Sequence, residues 1–213
     1  MAGRQAAVVA IAATIYFAVA AVATHIVSTQ YDLVRDYISD YAVGPWGWIY
    51  GSAFLASFVG TVALAVALWQ TVPRPALSRS GVIMLAIVGI TFAVDFYFPT
   101  DILAPGQPPQ TTVGTIHLAD AFLGWLLFVI AAPLISSRLK HDAWFGRWHG
   151  ALLALSWLAV VLLVALVAVV VAKAPIGGLV EKTFILDRNV WALILAIVAL
   201  RAPAAERSSP AGA

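Results

Sequence analysis

Asp95, His117, Asp120 and Arg188 stand in stretches of chain that are otherwise almost wholly apolar. An ionisable side chain inside a bilayer is costly unless it faces other protein and finds a partner, so each is a functional candidate by position alone. His117 and Asp120 are three residues apart and share one helix face. A second polar group lies between the apolar stretches: Asp32, Arg35 and Asp36-Tyr37-Ile38-Ser39-Asp40-Tyr41, then Phe98-Pro99-Thr100-Asp101. Carboxylates and imidazoles that meet at one place can bind a divalent cation, relay protons or act as a general acid and base. His117, Asp120, Asp95, Ser39 and Asp40 are the catalytic candidates, and His117, Asp120, Asp101 and His25 the candidate metal ligands. A purely structural alternative makes Asp95, Asp120, Asp187 and Arg188 an ion-pair layer that fixes helix register. His25 and His117 would also suit haem if their depths match. His-x-x-x-His, Gly-x-Ser-x-Gly, P-loop and dinucleotide fingerprints are all absent, so spacing names no reaction and assigns no cofactor.

The elements that hold these residues follow from composition. Of 213 residues, 62% are hydrophobic and 10% charged, against about 45–50% and about 25% in soluble domains. The mean hydropathy is +0.96. The apolar residues gather into six runs of bilayer-spanning length, which predict an all-α, six-helix polytopic membrane bundle within residues 1–200. The spans are expected at about 6–27, 47–72, 80–98, 112–136, 148–172 and 183–200. Pro73, Pro75 and Pro99 end helices, Pro105, Pro108 and Pro109 fill one loop, and Pro175, Gly177 and Gly178 open another. Residues 201–213, rich in Ala, Pro and Ser, read as a disordered tail. Gly51, Gly60, Gly81 and Gly89 suit close helix approach. The run from Ala151 to Ala172 looks lipid-facing. The chain contains no cysteine, which excludes disulfides, thiolate metal sites and a cysteine nucleophile.

Orientation comes from the short loops. Arg4, Arg74, Arg79, Arg138, Lys140, Arg147, Arg201 and Arg207 fall on one side and Arg35, Lys173, Lys182 and Arg188 on the other. The richer side is expected inside, giving a multi-pass cell-membrane protein with both termini cytoplasmic. The net charge of +2 and pI near 9.1 therefore express topology rather than nucleic-acid binding. Trp46, Trp48, Tyr50, Tyr97 and Phe98 are expected at the outer interface, and Trp69, Trp144 and Trp148 at the inner one. Arg4, an apolar run and Ala21-Val22-Ala23 imitate a cleavable leader, but the run is longer than such leaders carry and reads as a retained helix. At about 1.5 Å per residue, Asp95, Asp120 and Arg188 lie about 20–24 Å from the inner boundary, one level in the outer third. From Asn189 onward the sixth run covers only about 18 Å, so Asp187, Arg188 and Asn189 must be drawn into the membrane. Asp95, Asp120, His117 and Arg188 are expected to face one shared cavity.

Asp36-Tyr37-Ile38-Ser39-Asp40, Phe98-Pro99-Thr100-Asp101, His117 and Gly178-Leu179-Val180-Glu181-Lys182 together resemble the prokaryotic membrane family catalogued as domain of unknown function 998, over about Ala6 to Leu200. The resemblance implies a six-helix membrane protein without an established activity. Tyr41-Ala42-Val43-Gly44 and Glu181-Lys182 depart from the family's pattern, which has Leu-Gly soon after the Ser-Asp pair and Gln-Arg or Glu-Arg at the second place. A looser similarity is to the heptahelical hydrolases that include alkaline ceramidases; one helix and the paired His motif are missing here. Three function classes follow: an accessory, sensor or structural membrane subunit; a metal-assisted hydrolase of lipid or envelope substrates at the outer leaflet; or a small proton- or ion-coupled transporter. The lipid bilayer is the expected partner, with a lipid or small-molecule ligand at the outer vestibule.

Overall fold

The computed structural model describes residues 2–103 and 108–203; Pro105, Arg207 and the expected tail from residue 204 lie outside them. The described residues are all-helical, with six helices long and apolar enough to cross a membrane. They are α1 (Ala2–Val27), α2 (Gly47–Thr71), α3 (Arg79–Tyr97), α4 (Thr112–Arg138), α5 (His149–Val171) and α6 (Gly177–Arg201). Each packs against the next, and α6 returns to α1 to close the ring. The start of α1 and the end of α6 meet at one end of the bundle, where the Arg4 guanidinium donates to the Ala202 carbonyl at 2.9 Å. That end carries the 72–78 and 139–148 connections and is rich in arginine; it is the basic end. The 28–46, 98–111 and 172–176 connections form the opposite, acidic end.

Five helices begin and end within a few residues of the apolar runs in the sequence. The sixth does not: α6 begins at Gly177 rather than 183, and its 25 residues span about 37 Å at about 1.5 Å per residue. Glu181 and Lys182 lowered the apparent hydropathy of its first turns, yet the backbone there is fully helical. Asp187 and Arg188 stand mid-helix. Tyr50 also departs from expectation. It is 1% exposed and packs edge-on between Phe17 and Phe54, whereas Trp46, Trp48 and Tyr97 are exposed as interface residues should be. Pro133 lies inside α4, which continues through it to Arg138.

With little hydrophobic drive between helices in lipid, association rests on close packing and on hydrogen bonds across helices. A Cβ at Gly60 would lie 2.8 Å from Ala13 Cβ, and one at Gly89 2.7 Å from Val62 Cγ2, so α1–α2 and α2–α3 touch where glycine leaves space. Gly124 does the same for α3 and α4, its missing Cβ standing 2.5 Å from Thr91 Oγ1. The other side of the ring is joined by polar groups. Ser136 and Ser156 hydroxyls are 2.9 Å apart, and Trp191 Nε1 donates to Ser136 Oγ at 3.0 Å, tying α4, α5 and α6 at one point. Outside that point α5 presents Val161, Val164 and Val171 outward, in keeping with a lipid-facing helix.

Gly60→Val places a branched side chain against a Cβ that cannot swing away. Overpacking of this kind costs about 1–3 kcal/mol, so melting of the purified protein should fall by several degrees. Gly150→Val, with nothing within 4 Å of its added Cβ, should melt like the parent. Equal melting of both variants with the parent would contradict the close α1–α2 contact.

Candidate functional site

At the acidic end the chain must place an irregular segment, residues 28–46, against helices. Every buried backbone N–H and C=O there needs a partner. Some are met locally. Asp32 Oδ1 accepts from Val34 N and Arg35 N at 2.8 and 2.9 Å, and Asp36 Oδ2 accepts from Asp32 N at 2.6 Å. Asp40 Oδ2 accepts from Tyr37 N at 2.8 Å and opens a 3-10 turn, Ile38–Ala42. The remaining partners come from α6, whose first N–H groups have none within their own helix. Gly178 N donates to Arg35 O at 3.3 Å and Leu179 N to Val34 O at 2.9 Å. Lys182 Nζ donates to Leu33 O at 3.1 Å and to Asp36 O. In the other direction, Ile38 N donates to Glu181 Oε2 at 2.6 Å. Two glycines make this clasp possible: a Cβ at Gly178 would fall on the Asp36 carbonyl, and one at Gly177 would stand 2.6 Å from Tyr37 Oη.

The 98–111 connection has its own staple. Asp101 accepts from Gln110 N, Thr111 N and Thr111 Oγ1 at 2.8 to 2.9 Å, and Thr111 Oγ1 in turn caps α4 by accepting from Gly114 N at 2.9 Å. The Thr111 N–H and hydroxyl hold the Asp101 carboxyl below the usual carboxylate range. With α4 anchored in this way, His117 enters the bundle one turn in. Its Nδ1 lies 2.9 Å from Phe98 O and 3.3 Å from Asp95 Oδ1. A carbonyl only accepts, so Nδ1 carries the proton and the neutral ring keeps its lone pair on Nε2.

A cavity of ≈ 150 Å³ opens above this point. Its polar end is made by Tyr37, Ser39, Asp40, Thr100, Asp101, His117 and Glu181, and its apolar wall by Leu118, Ala121, Trp125, Leu166 and Val170 of α4 and α5. Among the described residues no Lys or Arg lines it. Ser39, His117 and Glu181 also line a deeper cavity of ≈ 30 Å³ together with Asp95 and Arg188, whose volume and polar walls suit about two water molecules. The Arg188 guanidinium lies over the Phe92 ring at 4.3 Å and near Phe17 at 5.8 Å, a face-on placement that offsets part of the cost of burying the charge.

The structure thus brings Asp95, His117 and Arg188 to one cavity, and Ser39, Asp40 and Asp101 to the adjoining one. Asp120 is half-buried beside Ala121 and lines neither, so the expected four-residue cavity holds three of its members. The ion-pair layer does not take the expected form. Among the described residues His117–Asp95 is the one approach of a basic to an acidic side chain within 4 Å, and with the ring neutral it is not an ion pair; Asp95 Oδ1 accepts no hydrogen bond. Asp187 is buried with both carboxylate oxygens unpartnered, and Asp120 Oδ2 is likewise unpartnered. Asp187 and Arg188 are neighbours in sequence, and successive residues of a helix do not face each other. The expected metal set is dispersed as well: His25 Nδ1 lies 2.6 Å from Ala21 O, its ring stacks 4.4 Å from Tyr41, and Asp101 is consumed by its staple. Among the described residues no three of His, Asp or Glu gather to hold an ion. The residue whose role sequence reasoning missed is Glu181. Its signal was the Gly-Gly pair one turn earlier, which permits loop and helix backbones to touch.

Burial pushes the Asp40 carboxyl up to about 7, opposed by the Tyr37 N–H that favours its ionised form. The folded state therefore keeps a proton that the unfolded chain, with an ordinary value of 3.8, releases. Stability should fall as pH rises from about 4 through 7 and level off above. Melting between pH 5 and 8 should show that fall, with a shallower slope in Asp40→Asn; an identical slope in the variant would count against the buried Asp40.

Comparison with curated proteins and with solved structures gives no match. A family model covers residues 10–198 and so takes in all six helices and both halves of the clasp. The chain belongs to the family described as Protein of unknown function (DUF998).

Proposed function

We propose that this protein is an accessory or sensor protein of the cell membrane, oriented with its acidic end outward, and that it binds an amphipathic molecule from the outer leaflet. The observation that carries this reading is the make-up of one cavity. Carboxylates, hydroxyls and an imidazole stand at one end, and at the other are Leu118 and Val170, which are also exposed on the helix surface. A volume of ≈ 150 Å³ is that of a benzene-sized guest, so the cavity takes a head group and its first carbons while a longer chain continues along the α4–α5 seam. Acidic lining with no cation selects a head group that donates hydrogen bonds or carries positive charge, and disfavours phosphate or carboxylate. The orientation rests on the excess of Lys and Arg at the basic end.

One observation favours a hydrolytic second reading. His117 has its Nδ1 held by Phe98 O, with Asp95 Oδ1 3.3 Å away, and lines the same two cavities as Ser39, an arrangement in which an oriented imidazole can serve as a base.

In nanodiscs, dodecylamine should raise the melting temperature more than dodecanol, and dodecyl phosphate should not raise it. Ala121→Phe, which fills the cavity wall, should abolish the response, and Asp40→Asn should weaken the amine response while sparing that to dodecanol. Equal responses to all three probes, or full responses in Ala121→Phe, would sink the binding reading. Release of alcohol or acid from dodecyl esters that Ser39→Ala abolishes would favour the hydrolytic one.

A further inference from the structure

At the basic end, remote from the cavity, three arginines from three chain segments converge. Arg74 lies on the α2–α3 connection, Arg79 opens α3 and Arg138 ends α4; they line one open groove of ≈ 660 Å³ with Ser78, Ser80 and Ser137. Among the described residues no carboxylate lines this groove, and no acid lies within 4 Å of any of the three guanidinium groups. Positive charge is concentrated there without compensation. One contact orients it: Arg138 Nη2 donates to Pro75 O at 2.7 Å, tying the end of α4 to the α2–α3 turn and leaving the rest of that planar fork of donors free. The α3 N-terminus opens into the same groove. Ser78 Oγ caps it by accepting from Gly81 N at 3.3 Å, so the N–H groups of the first turn add a partial positive charge to the guanidinium field.

We propose that this groove binds the phosphate of an anionic membrane phospholipid. Guanidinium forks match phosphate oxygens in pairs, and the Ser78 and Ser80 hydroxyls can donate to the remaining ones, Ser137 being engaged with Leu134 O. The choice of a lipid over a free anion rests on the apolar part of the lining. Leu134 lines the groove and is 38% exposed on the surface of α4, one turn before Arg138, so a phosphate seated among the arginines has its glycerol and acyl chains directed along a lipid-facing helix. The neighbouring cations Lys140 and Arg147 do not line the groove, which separates a built site from the general basicity of this end.

The test is native mass spectrometry of the full chain in detergent, titrated with phosphatidylglycerol and with phosphatidylcholine of the same acyl chains. Phosphatidylglycerol should bind about tenfold or more tightly than phosphatidylcholine, whose identical phosphate carries a choline cation that the three arginines repel. The double variant R79Q/R138Q should lose that preference. K140Q/R147Q removes the same charge from the same end and should keep it. R79K/R138K, which keeps charge but not the forks, should keep the preference while binding both lipids more weakly. Equal binding of both lipids by the parent would overturn the proposal, as would equal loss in the two glutamine pairs, which would reduce the effect to bulk charge. Complete displacement of phosphatidylglycerol by millimolar inorganic phosphate would also overturn it, by making the groove a free-anion site.

Discussion

The acidic end of this molecule depends on a single requirement: an irregular loop that meets a transmembrane helix must satisfy its backbone groups with protein. Residues 33–38 meet it by using the start of α6. Their carbonyls accept the N–H groups that a helix N-terminus cannot use, and the Lys182 ammonium adds a further donor. The Glu181 carboxylate closes the exchange from the other side by accepting from Ile38 N. Other features of the acidic end follow from this exchange. It holds the 3-10 turn in place over the bundle, puts Ser39 and Asp40 on a cavity wall, and obliges Gly177 and Gly178 to have no side chain. A charge-assisted hydrogen bond of this kind contributes more than a neutral one, about 1.5–3 kcal/mol, and here it joins segments 143 residues apart.

Below the clasp the problem changes from backbone to charge. Arg188 is almost fully buried, and no carboxylate sits within ion-pair distance of it. Aromatic faces of Phe92 and Phe17 and a small polar cavity shared with Asp95 and Glu181 take the place of a salt bridge. Asp95 is shared in turn with His117, whose ring is oriented by the Phe98 carbonyl at the end of α3. A direct Arg–Asp pair would lock the helices; an arginine held by rings beside a hydrated space leaves room for a ligand or proton to alter the balance. The buried Asp187 carboxylate has no hydrogen-bond partner at either oxygen, so it adds no ion pair to the register of the helices.

Much of the fold was legible because the bilayer imposes a length and a polarity on every span, and long apolar runs between prolines leave few alternatives. The rise per residue put Asp95, Asp120 and Arg188 at one level, but it could not say which way each faces, and Asp120 lines neither cavity. What hydropathy could not read was α6. Two charges in its first turns look like a loop when counted by polarity, yet they are what the neighbouring loop binds. Tyr50 misled for a related reason: an aromatic near a helix end is an interface residue only if it faces lipid, and facing is decided by partners such as Phe17 and Phe54. The dispersal of His25 and Asp101 from His117 has the same cause. Each found a backbone partner of its own, and spacing along the chain carries no information about such tertiary choices.

Hydrogen exchange resolved by peptide, on the parent and on Glu181→Ala, tests the clasp most directly. In the parent, the amides of residues 33–41 and 177–182 should both exchange slowly. Loss of the Glu181 carboxylate should speed both segments together by about tenfold or more, while α3 peptides stay protected. Free exchange of residues 33–41 in the parent, or acceleration of one segment without the other, would contradict the reciprocal pairing on which the acidic end is built.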